Sequence, residues 1–469
     1  MLFPTLDYLL FFIAVLALMV PCLRQPNLRK LVLVAASYFF YAQWNWHYCL
    51  LLAGSSVLTY CGGVAISATP VMRARKIIVG VTVGAHLLLL STFKYLDFLV
   101  GSANHLLHAL GTGGELPFME IVLPVGISFF TFHGISYLVD VYRGDVAVCR
   151  NPVDILLYLS FFPQLVAGPI VRASLFLPQL ARPPAERVPI AEPTLLILGG
   201  LFKKVVIATY LATDLVDPVF FDPSRYRPLD LMLAAYGYAV QIYCDFSAYT
   251  DMAIGFAALL GYQFPINFNQ PYRARSLREF WQRWHISLSS WLRDYLYKPL
   301  GGSRGSRWFT ARNLMITMLL GGIWHGAAWK FVAWGGLHGA GLAIERFAKP
   351  WSGGWARTRL GRIFAVLIVF HIVCLGWILF RADSFSVVMI YLGALVSGSG
   401  DEMQATPFTV ALIVLGLTLH AVPSGMPARL ARFAVAMPAW SWGVTAGVGI
   451  AMIDALGPDG VAPFIYFQF

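Results

Sequence analysis

The stretch LLGGIWHGAAW, residues 319–329, places one imidazole, His325, in a run of otherwise apolar and small residues. Gly322 and Gly326 stand four apart, a spacing that lets helices approach closely inside a membrane. Small residues around one polar ring describe a helix packed within a bundle. A buried imidazole needs a partner or a use, because an unpaired polar group in an apolar medium is destabilising. Two readings follow. The ring is a structural histidine bonded across helices, or it is an ionisable group marking a site in the membrane. A neutral imidazole, with an ordinary pKa of about 6.5, is suited to taking a proton from a hydroxyl at neutral pH.

Composition supports the membrane setting. Of 469 residues, 58% are hydrophobic and 12% charged, and the mean hydropathy is +0.68. Soluble domains carry about 25% charged residues, so soluble surfaces for a chain of this length are excluded. The alternating ten-residue segments of a membrane β-barrel are absent. The sequence reads as an all-α polytopic integral membrane protein, a single membrane-embedded domain over 1–469 with lipid around it. The net charge of +11 is the expected excess of Lys and Arg in cytoplasmic loops. No basic cluster forms the long solvated tract that nucleic acid would require, so no nucleic-acid partner is expected. Six cysteines are scattered without a CxxC pair, which argues against a disulfide framework or a zinc cluster.

Apolar segments recur at 4–20, 31–46, 48–66, 77–100, 121–139, 153–170, 194–213, 229–260, 313–346, 363–380, 385–397, 407–421 and 439–456. Dividing the longest blocks gives about 11 to 14 helical segments, some shorter than a bilayer span. The first segment has no basic n-region or clear cleavage site and reads as a retained helix. Arg24, Arg29 and Lys30, then Arg73, Arg75 and Lys76, then Arg143 and Arg150 alternate with loops lacking Lys and Arg. That alternation predicts an outside N-terminus and a cytoplasmic basic side. Segment 153–170 interrupts it, since Arg172, Arg182 and Arg187 follow directly. FFPQLVAGPI, residues 161–170, has two prolines and a glycine, suiting a re-entrant hairpin. Loop 214–230 is acidic and placed outside, while the Arg273–Arg283 stretch, Arg357, Arg359, Arg362, Arg429 and Arg432 are placed inside. The residues 457–469 then form an extracytoplasmic tail.

A second histidine lies in SLREFWQRWHISLSSWLRDYLYKPLGG, residues 276–302. Phe280, Trp284, Leu288, Trp291, Leu292 and Tyr295 recur at helical steps on one face; Gln282, His285, Ser289 and Arg293 recur on another. Ser276 with Glu279 three residues on is a capping-box pattern, and the helix is expected to end near Lys298, before Pro299 and two glycines. His285 therefore lines a cavity from a polar stripe, or rests solvated on a flat interfacial helix. His338 follows His325 by 13 residues; on one continuous helix the two rings would be about 20 Å apart along the axis and on different faces, so no shared metal is expected. No HExxH or GxSxG motif occurs. Asp245 and Asp251 sit in apolar, aromatic sequence, where a carboxylate needs a partner or water. Pairing with an arginine of 273–283 is the structural reading; lining a polar tunnel is the functional one.

QIYCDFSAYTDMAIGFA (241–257), FPINFNQPYRARSLREFWQRWHISLSSWLRDYLY (264–297) and GGIWHGAAWKFVAWGGLHG (321–339) strongly resemble the membrane-bound O-acyltransferase family, in its bacterial polysaccharide branch. The resemblance extends upstream to LPVGISFFTFHGISYLVDVYRG (123–144) and SFFPQLVAGPIVR (160–172), and so covers most of 121–346. It implies a ring of membrane helices around a central tunnel, with re-entrant and horizontal helices. It implies acyl transfer from a thioester to a hydroxyl, with the signature histidines at His285 and His325 and His325 the principal catalytic candidate.

On that resemblance, a cytoplasmic donor such as acetyl-CoA would set its phosphates against Arg273, Arg275 and Arg278, and no bound cofactor is required. The Trp324 indole or backbone N–H groups are the candidate oxyanion donors. The ending PFIYFQF offers Tyr466 as a first acyl acceptor, since a phenol is acidified more readily than a sugar alcohol; a packing tail at the interface is the structural alternative. The resemblance further implies the bacterial inner membrane, polysaccharide biosynthesis machinery and a periplasmic SGNH-type transferase as partner. A polysaccharide-precursor flippase and D-alanyl transfer to teichoic acid are the competing functions.

Overall fold

The computed structural model describes residues 3–22, 24–181, 190–348, 358–422, 430, 432, 437–458, 460 and 462–465; Arg182, Arg187, Arg357, Arg429 and Tyr466 lie outside them. Among the described residues every regular element is helical, beside one isolated bridge between Tyr226 and Glu402. Helices Tyr48–Ala68, Met72–Ala109, Ala191–Phe221 and Arg359–Arg381 are long and apolar enough to cross a membrane. Only a backbone that satisfies its own hydrogen bonds is stable in hydrocarbon, and a helix does so within one segment. The chain is an all-α membrane protein.

The chain divides into two compact units, Met1–Arg187 with Leu260–Phe264 and Val188–Leu259 with Pro265–Phe469. The first unit contains α1 (Leu6–Met19), α2 (Pro26–Asn45), α3 (Tyr48–Ala68), α4 (Met72–Ala109), α5 (Ile127–Arg143), α6 (Pro152–Ser160), α7 (Phe162–Leu165) and α8 (Ala173–Leu180). Two polar contacts tie its helices together. Lys30 on α2 meets Asp154 on α6 at 2.7 Å. His86 on α4 reaches Thr59 on α3 at 3.1 Å, and Gly134 on α5 leaves room for both, since a Cβ there would stand 2.8 Å from Thr59 Oγ1. The expected hairpin is a nine-residue helix, α6, broken at Phe161 ahead of α7. At about 1.5 Å rise per residue neither helix is long enough to span.

The second unit holds α9 (Ala191–Phe221), α10 (Pro228–Leu259), α11 (Leu277–Arg283), α12 (Ile286–Leu292), α13 (Arg307–His325), α14 (Trp329–Ala348), α15 (Arg359–Arg381), α16 (Phe385–Ser397), α17 (Pro407–Thr418) and α18 (Ala439–Leu456). Helix α9 carries π turns at Lys203–Ala208 and Ala212–Val216, a local widening often found at functional positions. Glycines let its helices touch. A Cβ on Gly200 of α9 would meet Ala248 O of α10 at 2.8 Å, and one on Gly416 of α17 would meet Val240 of α10 at 2.2 Å.

The expected close approach at Gly322 is present between α13 and α14. A Cβ there would lie 2.2 Å from Phe331 O, and one on the facing Gly335 would lie 2.4 Å from Met318 O. Backbone on both sides cannot yield as a side chain can. Gly322→Ala is therefore expected to destabilise the protein by about 1–3 kcal/mol or more, as overpacking does. Gly336→Ala, whose Cβ would meet only Leu319 Cδ2 at 3.9 Å, is expected to be tolerated. Thermal unfolding of the two variants in one detergent checks the contrast.

Candidate active site

The stretch 276–297 is not the single helix that its periodicity predicts. Ser276 caps α11 as expected, its hydroxyl accepting from Glu279 N at 3.0 Å. The box is left half made: the Glu279 carboxylate accepts from Arg275 N at 2.9 Å, one residue before the cap. The helix then stops. Trp284 is extended, His285 is left-handed at φ +41°, and α12 starts at Ile286. The cause is lateral hydrogen bonding to the preceding loop. Asn269 N donates to Arg283 O at 2.9 Å, and Ile286 N donates to Asn267 O at 2.8 Å. A left-handed backbone at a non-glycine residue costs about 1–3 kcal/mol and clusters at functional sites.

The break overturns the polar stripe of Gln282, His285, Ser289 and Arg293. Instead of sharing a wet face, His285 is fully buried and Ser289 turns its hydroxyl back to Trp284 O at 3.1 Å. The imidazole is held by Asn267. Its Oδ1 accepts from Ser287 N at 3.0 Å and Ser287 Oγ at 2.9 Å, and meets His285 Nδ1 at 3.2 Å. A backbone N–H can only donate, so this Asn267 atom is the amide oxygen, and His285 Nδ1 must carry the proton that bonds to it. The lone pair therefore resides on Nε2, which is buried and has no hydrogen-bond partner among the described residues. Phe246 of α10 stands edge-on to the imidazole, with ring centres 4.7 Å apart.

His325 is the last residue of α13, which ends because Gly326 is extended. Its ring is 5% exposed and walled by Trp324, Trp334 and Phe380, at centre distances of 5.0, 4.9 and 5.3 Å. The Trp324 ring lies 6.3 Å from that of His285. One indole thus borders both imidazoles, and His285, Trp324 and His325 form one aromatic chamber. The break after His325 also separates His338 onto α14, so the continuous helix assumed between them is absent. His338 packs against Trp281 and Trp334 at 5.2 and 4.8 Å. Among the described residues no group of three His, Cys, Asp or Glu is placed to hold a metal.

Asp245 pairs with Lys204, not with an arginine of 273–283. The contact is 2.7 Å long and both side chains are almost wholly buried. Lys203 likewise meets Asp251 at 2.5 Å. These lysines were the missed residues. The pair KK in the apolar run LFKKVV, 201–206, is the signal that marks them, since ionisable groups at membrane depth need partners. Arg273, Arg275 and Arg278 are exposed and outside the imidazole chamber. Arg273 donates to Gln270 at 3.0 Å and Arg275 to Glu279 at 3.3 Å, while Arg278 N donates to Glu345 at 3.2 Å. Burial raises the Glu279 carboxyl, but the Arg275 amide and the Arg283 and Arg275 guanidiniums outweigh it and hold the group below the ordinary glutamate value. Tyr466 lies outside the described residues, but Pro463–Ile465 just before it reach α9 and α10: Ile465 N donates to Asp245 Oδ2 at 2.9 Å.

The sequence model of the membrane-bound O-acyltransferase family matches residues 148–380. Over 414 residues the chain is 41% identical to a probable alginate O-acetylase of Azotobacter vinelandii, covering 85% of this chain and 80% of that protein. A probable alginate O-acetylase of Pseudomonas putida is 37% identical over 94% of each chain. A peptidoglycan O-acetyltransferase of Helicobacter pylori is 36% identical, covering 81% of this chain and 76% of that one.

Asn267 is the residue on which the chamber's geometry can be tested without touching a histidine. Each buried donor stripped of its acceptor costs about 1–3 kcal/mol. Asn267→Ala strips the Ser287 pair and His285 Nδ1, so its unfolding free energy is expected to fall by at least about 2 kcal/mol. Thermal unfolding of the purified variant beside the native protein reports the loss.

Proposed function

Because the chain belongs to the membrane-bound O-acyltransferase family and is an acyltransferase, we propose that it moves an acetyl group from a cytoplasmic thioester, acetyl-CoA, to an extracytoplasmic polysaccharide hydroxyl. Support comes from the relatives, which are named for O-acetylation of alginate or peptidoglycan. The observation that carries the reading is the chamber itself, in which one indole borders two buried imidazoles. The setting is the bacterial inner membrane, crossed several times, with the acceptor polymer and a periplasmic SGNH-type transferase on the far side.

His325 is the general base. It takes the proton of the attacking hydroxyl as the oxygen bonds to the thioester carbonyl carbon. The oxyanion of the tetrahedral intermediate is held by N–H donors, either the Trp324 indole or backbone N–H groups. The C–S bond then breaks, and the proton on His325 passes to the leaving thiolate. His285, with its Nε2 lone pair turned into buried space, is a second acceptor beside the same indole. Arg273, Arg275 and Arg278 offer exposed positive charge for the donor's phosphates. Tyr466 is the first acyl acceptor: its phenol takes the acetyl group as an ester and passes it to the periplasmic partner.

Loss of a general base lowers the rate by roughly 10²–10⁴-fold. His325→Ala is therefore expected to abolish polymer acetylation, read by mass spectrometry of the purified polysaccharide, while polymer export continues. Lost export would instead favour a flippase, and transfer of D-alanine from a carrier protein would appear as a different mass on the polymer.

Tyr466→Phe keeps the aromatic ring and removes the hydroxyl. Polymer acetylation is expected to fall to background in that variant. Undiminished acetylation would exclude the relay and leave direct transfer.

A further inference from the structure

Helix α18 lies along α9. A Cβ on Gly449 would meet Leu198 at 2.9 Å, and one on Gly457 would meet Val205 at 2.6 Å. From there the chain turns inward, so that Phe464 and Ile465 are 0% and 1% exposed. The Phe464 ring packs on Tyr249 at 4.2 Å and on Phe246 at 6.0 Å. Phe246 is the ring that stands against His285. One aromatic side chain thus links this segment to the catalytic chamber.

The backbone of the segment is bound by charge. Lys204 and Asp245 lie near the middles of α9 and α10 and meet at 2.7 Å. As an ion pair they are complete without a third party. Yet Asp245 Oδ2 accepts from Ile465 N at 2.9 Å, and Lys204 Nζ donates to Pro463 O at 3.3 Å. The acid takes an N–H and the base takes a carbonyl, two residues apart on one strand of chain. Hydrogen bonds to ionised groups are stronger than those between neutral ones. Both ionised side chains are almost wholly buried, so little water competes at their end of each bond. If the segment withdrew, both charges would lose a partner in an apolar interior.

We propose that the Lys204–Asp245 pair is a seat for the segment Pro463–Ile465, and that these two positioning residues hold it beside Phe246, the ring that stands against His285. A use for the seat in acyl transfer rests on the acyl-relay reading; the seat itself does not. The pair recognises backbone, so it fixes where the chain runs without demanding a particular side chain at 463 or 465. Phe464 supplies the side-chain contact, between Tyr249 and Phe246.

The discriminating variant is the charge swap, Lys204→Asp with Asp245→Lys, in the full chain. It preserves mutual attraction but presents a carboxylate to Pro463 O and an ammonium to Ile465 N, both repulsive. An ion pair that served only helix packing would be rescued by the swap; a seat would not. The reporter is Ile465→Cys, with labelling by a membrane-impermeant maleimide quantified at that site by mass spectrometry. The swap is expected to raise the labelling rate at least tenfold over the reporter alone, at a similar melting temperature. Equally slow labelling overturns the seat. Should the swap fail to fold, Lys204→Met with Asp245→Leu removes both charges and keeps an apolar contact between α9 and α10, with Ile465→Cys again the reporter. Labelling at least tenfold faster than in Ile465→Cys alone supports the seat, and an unchanged rate overturns it. Polymer acetylation is measured alongside: fast labelling with acetylation intact upholds the seat and eliminates the relay, so the two ideas fail separately.

Discussion

One amide oxygen organises the candidate site. Asn267 Oδ1 gathers a backbone N–H, a serine hydroxyl and an imidazole N–H, and the Asn267 carbonyl takes Ile286 N besides. Those bonds compete with the helix that the 276–297 pattern would otherwise form. Breaking a helix leaves N–H and C=O groups without partners, and in a buried region that is affordable only where another group supplies them. The loop around Asn267 and Asn269 does so. The same bonds choose the tautomer of His285, so the local architecture and the chemistry of the ring have one origin.

What the sequence shows and hides follows from the range of each interaction. The close approach at Gly322 is legible because small residues surround it, although Gly326, the other half of the spacing, falls past the end of α13. The cap at Ser276 is legible because it acts within three residues. The burial of His325 follows from its apolar surroundings. The break at His285 is hidden, since periodicity records which face a residue would take if the helix continued and carries no trace of a lateral partner 18 positions earlier. Asp245 was recognisable as a buried carboxylate in need of a cation. Its choice of Lys204 over the nearer arginines depends on how α9 and α10 pack, which residue spacing along the chain does not encode.

Charge is partitioned sharply in the second unit. At depth, each lysine of the 203–204 pair has an aspartate of α10, Lys203 with Asp251 and Lys204 with Asp245. At the exposed positions of α11 and the turn before it, arginines outnumber acids, and Glu279 is shared between Arg275 and Arg283. Neutralisation is obligatory inside, where an isolated ion would be strongly destabilising. Outside, water screens the excess, so positive charge can accumulate there without a partner for each ion. The π turn at Lys203–Ala208 carries both lysines.

The chamber walls explain why aromatic residues dominate around the two imidazoles. A dry site must exclude water while leaving donors and acceptors aimed at the reacting atoms. Aliphatic side chains would exclude water equally well, but they offer no N–H and adapt their rotamers more freely. Trp324, Trp334, Phe380 and Phe246 meet the histidines largely edge-on. That geometry brings the positive rim of one ring to the negative face of the next and fixes orientation as well as distance. His285 is held at one nitrogen by Asn267 and on its sides by Phe246 and Trp324, an arrangement that fixes the orientation of the imidazole.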